Sequence, residues 1–165
     1  MPAGNYTATI TDSVGCIYER YLVVLQPDTP LKIDSIAPPD HVLCYGDSTA
    51  EIYAVVSGGF GPRYVLLTLG GVSVWSSDTL GSLSGLSDTI HITNLPAGTY
   101  EFYLFDTIPD GLYGIYGCEQ NVQINITEPQ DPLSSSISLL TYVSCWGDST
   151  ASAIANVIGG QFPYT

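Results

Sequence analysis

An all-β protein is what this sequence predicts, and three observations predict it. Gly (17), Pro (11) and Tyr (12) are abundant among the 165 residues, a composition that disfavours helices by intrinsic propensity. Short segments alternate with period two between clusters of turn residues, the pattern of a sandwich rather than of strand-helix-strand units. No segment keeps an apolar i, i+3, i+4 spacing for three turns.

The elements follow in order. Tyr6–Thr11 alternates Thr with Tyr, Ala and Ile, and after the Asp12-Ser13 turn Ile17–Leu25 forms its partner. Leu31–Ile36 comes after a stretch holding Pro27 and Pro30. Ala50–Val56, Tyr64–Leu69 and Val72–Ser76 are divided by Gly58-Gly59 and Gly70-Gly71, where tolerance of positive φ makes turns. Thr89–Thr93 alternates around His91, which places that histidine outward. Thr99–Phe105 follows the Pro96-Ala97-Gly98 turn, and Val122–Ile126, Ile137–Tyr142 and Ala151–Val157 complete the set.

Charge narrows the partners. Three Lys and Arg stand against 16 Asp and Glu, a formal net charge of −13. Nucleic acid is excluded, because phosphate contacts need clustered cations and Arg20, Lys32 and Arg63 are scattered. A hydrophobic share of 45% is too high for a disordered acidic tail, so the chain is expected to bury a core. No apolar run approaches the roughly 18 residues of a spanning helix, so no membrane insertion is expected. Residues Met1–Gly4 carry neither a basic nor an apolar leader region.

An internal repeat organises the chain. Met1-Pro-Ala-Gly-Asn-Tyr6 through Asp12 matches Leu95-Pro-Ala-Gly-Thr-Tyr100 through Asp106, and Cys16 matches Cys118 after eight extra residues in the second copy. Leu25-Gln-Pro-Asp-Thr-Pro-Leu31 resembles Thr127-Glu-Pro-Gln-Asp-Pro-Leu133. Cys44-Tyr-Gly-Asp-Ser-Thr-Ala50 matches Cys145-Trp-Gly-Asp-Ser-Thr-Ala151, and Gly58-Gly59-x-x-Pro62 matches Gly159-Gly160-x-x-Pro163. The period is about 101 residues, the size of one sandwich domain. Residues 1–30 then supply the last strands of one repeat, 31–132 a complete repeat, and 133–165 the first strands of a third. The sequence is expected to be a window on a longer array whose Pro-bearing joints resist bending.

These residues resemble the SprB-type repeats of very large cell-surface adhesins of gliding Bacteroidota. The features carrying the resemblance are Cys44, Gly58-Gly59-Phe60-Gly61-Pro62, Leu95-Pro96-Ala97-Gly98-Thr99-Tyr100, Asp106, Gly117-Cys118 and Glu128-Pro129. Arg63 departs from the family, which has Tyr after the proline, and the loop before Cys118 is longer. The resemblance implies tandem immunoglobulin-like β-sandwiches that space or grip a surface, a secreted cell-surface location, a part in gliding motility, and neighbouring repeats and surface polysaccharide as partners. A carbohydrate-binding module of a secreted polysaccharide-degrading enzyme is the alternative.

Tyr6 and Tyr100, each after a Pro-Ala-Gly turn, read as tyrosine corners whose hydroxyls bond back to the backbone. Four cysteines in such a chain suit an oxidising compartment, and two pairing schemes stand. Cys44–Cys118, which the resemblance favours, would close about 75 residues and contribute roughly 4 kcal/mol. Cys16–Cys44 with Cys118–Cys145 would bolt successive units together. A simple sandwich topology puts such cysteines at opposite ends and suits neither scheme.

Seven of 11 Asp precede Ser or Thr and then an aliphatic residue or Thr. The pattern resembles the acceptor signal of periplasmic O-glycosylation in Bacteroidota, with Ser13, Ser35, Ser48, Thr79, Thr89, Thr107 and Ser149 as acceptors. Turn chemistry is the competing account, since Asp-Ser and Asp-Thr favour turns. Two Asn-x-Thr sequons, at Asn5 and Asn125, fall in expected strands.

No cofactor is expected. The Gly46–Thr49 and Gly147–Thr150 loops offer too few carboxylates for calcium, and Asx-turns by Asp47 and Asp148 are the simpler outcome. Asp106 and Asp110 are weighed the same way, and calcium bridging successive units through Asp28, Asp34 or Asp131 stands as the alternative. Zinc lacks a C-x-x-C pair. Without a Gly-x-Ser-x-Gly elbow or a phosphate loop, no enzyme is expected. Trp75 reads as core and Trp146 as part of a turn.

Overall fold

The computed structural model describes residues 1–37, 39–77, 87–107 and 116–165. Its eleven strands are β1 (Gly4–Thr11), β2 (Ile17–Val24), β3 (Lys32–Ile36), β4 (Ala50–Ser57), β5 (Arg63–Leu69), β6 (Val72–Ser76), β7 (Asp88–Leu95), β8 (Gly98–Thr107), β9 (Tyr116–Ile126), β10 (Ser134–Thr141) and β11 (Ser152–Ile158). The all-β expectation holds. Among the described residues no helix is long and apolar enough to cross a membrane.

Strands β3 to β9 make two antiparallel sheets, β3-β4-β7 and β6-β5-β8-β9, that share one core. Alternation decides which side chains enter it. From the first sheet Ile52, Ala54, Val56, Ile90 and Ile92 are buried, and from the second Val65, Leu67, Tyr100, Phe102, Leu104, Ile124 and Ile126. Trp75 packs against this cluster.

The chain enters the sandwich at one end and leaves at the other. Lys32 pairs with Ser57 beside the Gly58-Gly59 turn, where β9 also begins. At the far end the Val42 amide donates to Thr127 O at 2.9 Å. Both segments therefore run from the entry end to the exit end.

Hairpins β1-β2 and β10-β11 form separate two-stranded sheets. Their alternation is that of the middle sandwich, and among the described residues no further strand pairs with either. Ile10, at the repeat position of fully buried Leu104, is 62% exposed, and Leu22, at the position of Ile124, is 55% exposed.

Candidate functional site

Three repeat motifs that lie far apart in sequence meet at the entry end. Along β8 the inward positions are Tyr100, Phe102, Leu104 and Asp106, so the same alternation that fills the core buries a carboxylate at its rim. Asp106 Oδ2 accepts the Phe60 amide at 2.7 Å and Oδ1 accepts the Cys118 amide at 2.6 Å. One side chain thus ties the Gly-Gly turn to the start of β9, and these charge-assisted bonds replace the water it gave up.

The two glycines are required by space as well as by backbone. Gly59 has φ +85°, and a Cβ there would stand 2.5 Å from Asp106 Oδ2. Gly58 has φ +73°, and its Cβ would stand 1.9 Å from the Pro30 carbonyl oxygen. That contact is close because the incoming joint is bound to the turn: the Gly59 amide donates to Thr29 O at 3.1 Å. Arg63, 1% exposed, donates to Gly58 O at 2.7 Å and pairs with Asp88. Arg63 is thus a buried cation held by a carboxylate and a carbonyl.

The other copies repeat these bonds. Asp12 Oδ1 accepts the Cys16 amide at 2.8 Å and the Val14 amide at 3.0 Å. The Gly160 amide donates to Asp131 O at 2.9 Å, and a Cβ on Gly159 would stand 2.1 Å from Pro132 O. Tyr6 Oη donates to Pro2 O and Tyr100 Oη to Pro96 O, both at 2.7 Å. Burial raises the Tyr100 phenol above its ordinary pKa.

The Cys16 and Val14 amides hold the exposed Asp12 carboxyl below its ordinary value of 3.8. A depressed folded-state pKa means that the stabilisation is complete above that value and is lost as pH falls through the lower, folded one. In an NMR titration of the chain, the Cys16 amide resonance is therefore expected to shift with a midpoint below 3.8. A midpoint at or above it contradicts the bond.

The exit end carries a second clasp. The Gly46 amide donates to Glu128 Oε2 at 2.6 Å, and His41 Nδ1 accepts the Thr127 amide at 3.2 Å and lies 2.9 Å from Thr127 Oγ1. The Gly-Asp-Ser-Thr loops close differently from the Asx-turns expected of them. Thr49 Oγ1 accepts the Leu43 amide at 3.4 Å, and Thr150 Oγ1 accepts the Ser144 amide at 3.1 Å. The Asp47 and Asp148 amides donate back to Cys44 O and Cys145 O. Threonine reaches the amide six residues back because the intervening turn doubles the chain over.

On the outer face of β4 and β7, Tyr53 and His91 stack with centroids 4.0 Å apart. Glu51 Oε2 lies 2.9 Å from His91 Nε2 and accepts the Tyr53 hydroxyl at 3.0 Å. The bonds from His91 first and Tyr53 second lower the Glu51 pKa, while the Glu51 carboxylate raises that of Tyr53.

All four cysteines are exposed and unpaired. The Cys44–Cys118 pairing is not made: Cys44 lies in the loop clasped to Glu128 and Cys118 beside Asp106. The eight residues of β9 between the two ends span about 27 Å at the rise of a strand, far beyond disulfide reach. The scheme joining Cys16 to Cys44 and Cys118 to Cys145 is not made either.

Ser13, Ser35, Ser48, Thr89 and Ser149 are exposed. Thr79 and the Thr107 side chain lie outside the described residues, as does Asp110. Several of the preceding aspartates have structural work: Asp12 and Asp106 accept backbone amides, and Asp88 pairs with Arg63. Asp34 pairs with Lys32 at 3.1 Å, and bonds from Ser57 first and Lys32 second lower its pKa. Among the described residues no three His, Cys, Asp or Glu cluster so as to hold a metal. Trp146 is fully exposed.

Sequence reasoning missed Arg63, Asp88, Gly46 with Glu128, and the threonine closures. The signal for Arg63 is its place in the inward series Arg63, Val65, Leu67, and that for the threonine closures is the recurrence of Thr49 and Thr150 in both Gly-Asp-Ser-Thr loops; Asp88 and the Gly46–Glu128 pair bond across the chain and leave no local trace. No protein-family model, curated protein or solved structure matches this chain.

Proposed function

We propose that this chain is a stretch of tandem immunoglobulin-like repeats from a secreted cell-surface adhesin or filament, in which each unit spaces and presents adhesive faces for attachment and gliding. The observation that carries this reading is the recurrence of one bond set in segments about 101 residues apart: tyrosine to proline carbonyl, aspartate to cysteine amide, glycine amide to the preceding joint. Recurrent local bonds are what an array of like units needs, because each unit must specify itself and its joint.

The strand order supports the immunoglobulin-like assignment. The first, second and fifth strands of the middle unit share a sheet and the other four form the second. That differs from the constant-type arrangement only in the sheet the fourth strand joins. The joint supports spacing. Glu128 is clasped to the unit before it and Asp131 to the turn after it, which leaves only Pro129 and Gln130 between the clasps. Proline fixes φ, and Pro129 is also buried.

Antibodies raised against residues 31–132 test the reading. They are expected to label intact cells of the source organism and to block attachment to a surface. Labelling confined to permeabilised cells would overturn it.

A further inference from the structure

Alternation along β5 and β8 sends Val65, Leu67, Phe102 and Leu104 into the core and turns Tyr64, Leu66, Tyr103 and Phe105 outward. The outer face of an antiparallel sheet is ordinarily polar. Here Tyr64 lies opposite Phe105 and Leu66 opposite Tyr103, so four apolar side chains form one block across two strands. The Tyr64 and Phe105 rings are nearly parallel, 12° apart in plane with centroids at 5.7 Å. Leu66, Tyr103, Phe105 and Glu119 line a shallow depression. Beside the block, β9 places Glu119, Asn121 and Gln123 opposite Phe105, Tyr103 and Glu101, and Gln123 Nε2 donates to Glu101 Oε1 at 2.9 Å.

The internal repeat separates what the sandwich requires from what this unit adds. Tyr100 and Asp106 have counterparts in Tyr6 and Asp12, whereas Glu101, Tyr103 and Phe105 correspond to Thr7, Thr9 and Thr11. The fold therefore keeps the corner tyrosine and the amide-binding aspartate in both copies but does not need the outward rings.

We propose that this face of the middle unit, with Tyr64, Leu66 and Tyr103 as platform and Asn121, Gln123 and Glu101 as rim, binds a neutral polysaccharide. The inference rests on the adhesive reading above and names its ligand class. Flat rings pack on the C–H faces of sugars while a few amides and carboxylates meet the hydroxyls, the division of labour common to small-molecule sites. Charge selects the kind of sugar. The carboxylates of Glu101 and of neighbouring Glu119, in a chain of net charge −13, repel uronates and sulfates. A peptide adding as a strand needs an open edge, and β5 and β8 are the two inner strands of their sheet.

Affinity electrophoresis of the 165-residue chain through gels holding a mixed-linkage β-glucan, a galactomannan or alginate provides the test. Retardation by at least one neutral polymer and none by alginate is expected. Tyr103→Thr installs the residue that β1 carries at its matching place, and together with Tyr64→Ala it should weaken retention by about tenfold or more with an unchanged thermal midpoint. Passage through every neutral gel without delay, equal delay in alginate, or full retention by Tyr103→Thr would overturn the inference. Labelling of intact cells by an array that binds no neutral glycan would sink this inference and leave the adhesive reading standing.

Discussion

Replacing Asp106 with Ala is expected to lower the thermal midpoint of the middle sandwich by at least about 8 °C. The change removes the acceptor of the Phe60 and Cys118 amides at a fully buried position. Each donor left without its partner costs about 1–3 kcal/mol, so this part-buried pair removes roughly 2–6 kcal/mol from a domain whose whole stability is on the order of 5–15 kcal/mol. Asp12→Ala deletes the matching bonds from an exposed turn and serves as the control, with no change in that midpoint expected. A fall below about 1 kcal/mol for Asp106→Ala in urea unfolding would mean that water or a neighbouring group takes over both amides.

Gly58→Ala is expected to release the incoming joint. An alanine Cβ cannot share space with the Pro30 carbonyl oxygen, and because that neighbour is backbone the joint itself must move. Positive φ adds strain of about 1–3 kcal/mol. Hydrogen exchange should report both consequences, since the Gly59 amide is protected only while it is bonded to Thr29 O. Its protection is expected to fall by tenfold or more, about 1.4 kcal/mol of local opening, with faster exchange through residues 28–31. Gly159→Ala should act alike on Gly160. Unchanged protection at Gly59 would show that the turn and the joint are independent.

Much of the fold was readable because its grammar is local. All eleven expected strands exist, and the misjudged boundaries are instructive. β9 begins at Tyr116, six residues before the expected Val122, because Glu119, Gln120 and Asn121 are exposed and polar and so hide the strand from a hydrophobic reading. β10 begins in the Ser134–Ser136 run for the same reason. The division into two sheets was not readable, since pairing depends on residues up to 45 positions apart, as Ala50 and Leu95 are. Asp106 shows the same boundary at the site: its place at the end of an alternating strand was visible, but its partners Phe60 and Cys118 are 46 and 12 residues away. Cys44 and Cys118 lie at opposite ends of the middle unit, where a simple topology puts them, whereas the resemblance favoured pairing them.

The clasp at the exit end also determines how a unit carries tension. A pull along the proposed array would enter the middle unit at Leu31 and leave at Glu128, and both connecting segments run in the same direction along the unit. Opposed forces therefore slide residues 41–46 past residues 127–128 instead of peeling them apart. The Val42 amide on Thr127 O, His41 on Thr127 and the Gly46 amide on Glu128 lie side by side across that plane. Bonds arranged in this way share a load and must break together, whereas the rungs of a hairpin drawn from its open end break one at a time. In the proposed array each such unit would be a link that holds its length until a threshold force and then gives way abruptly.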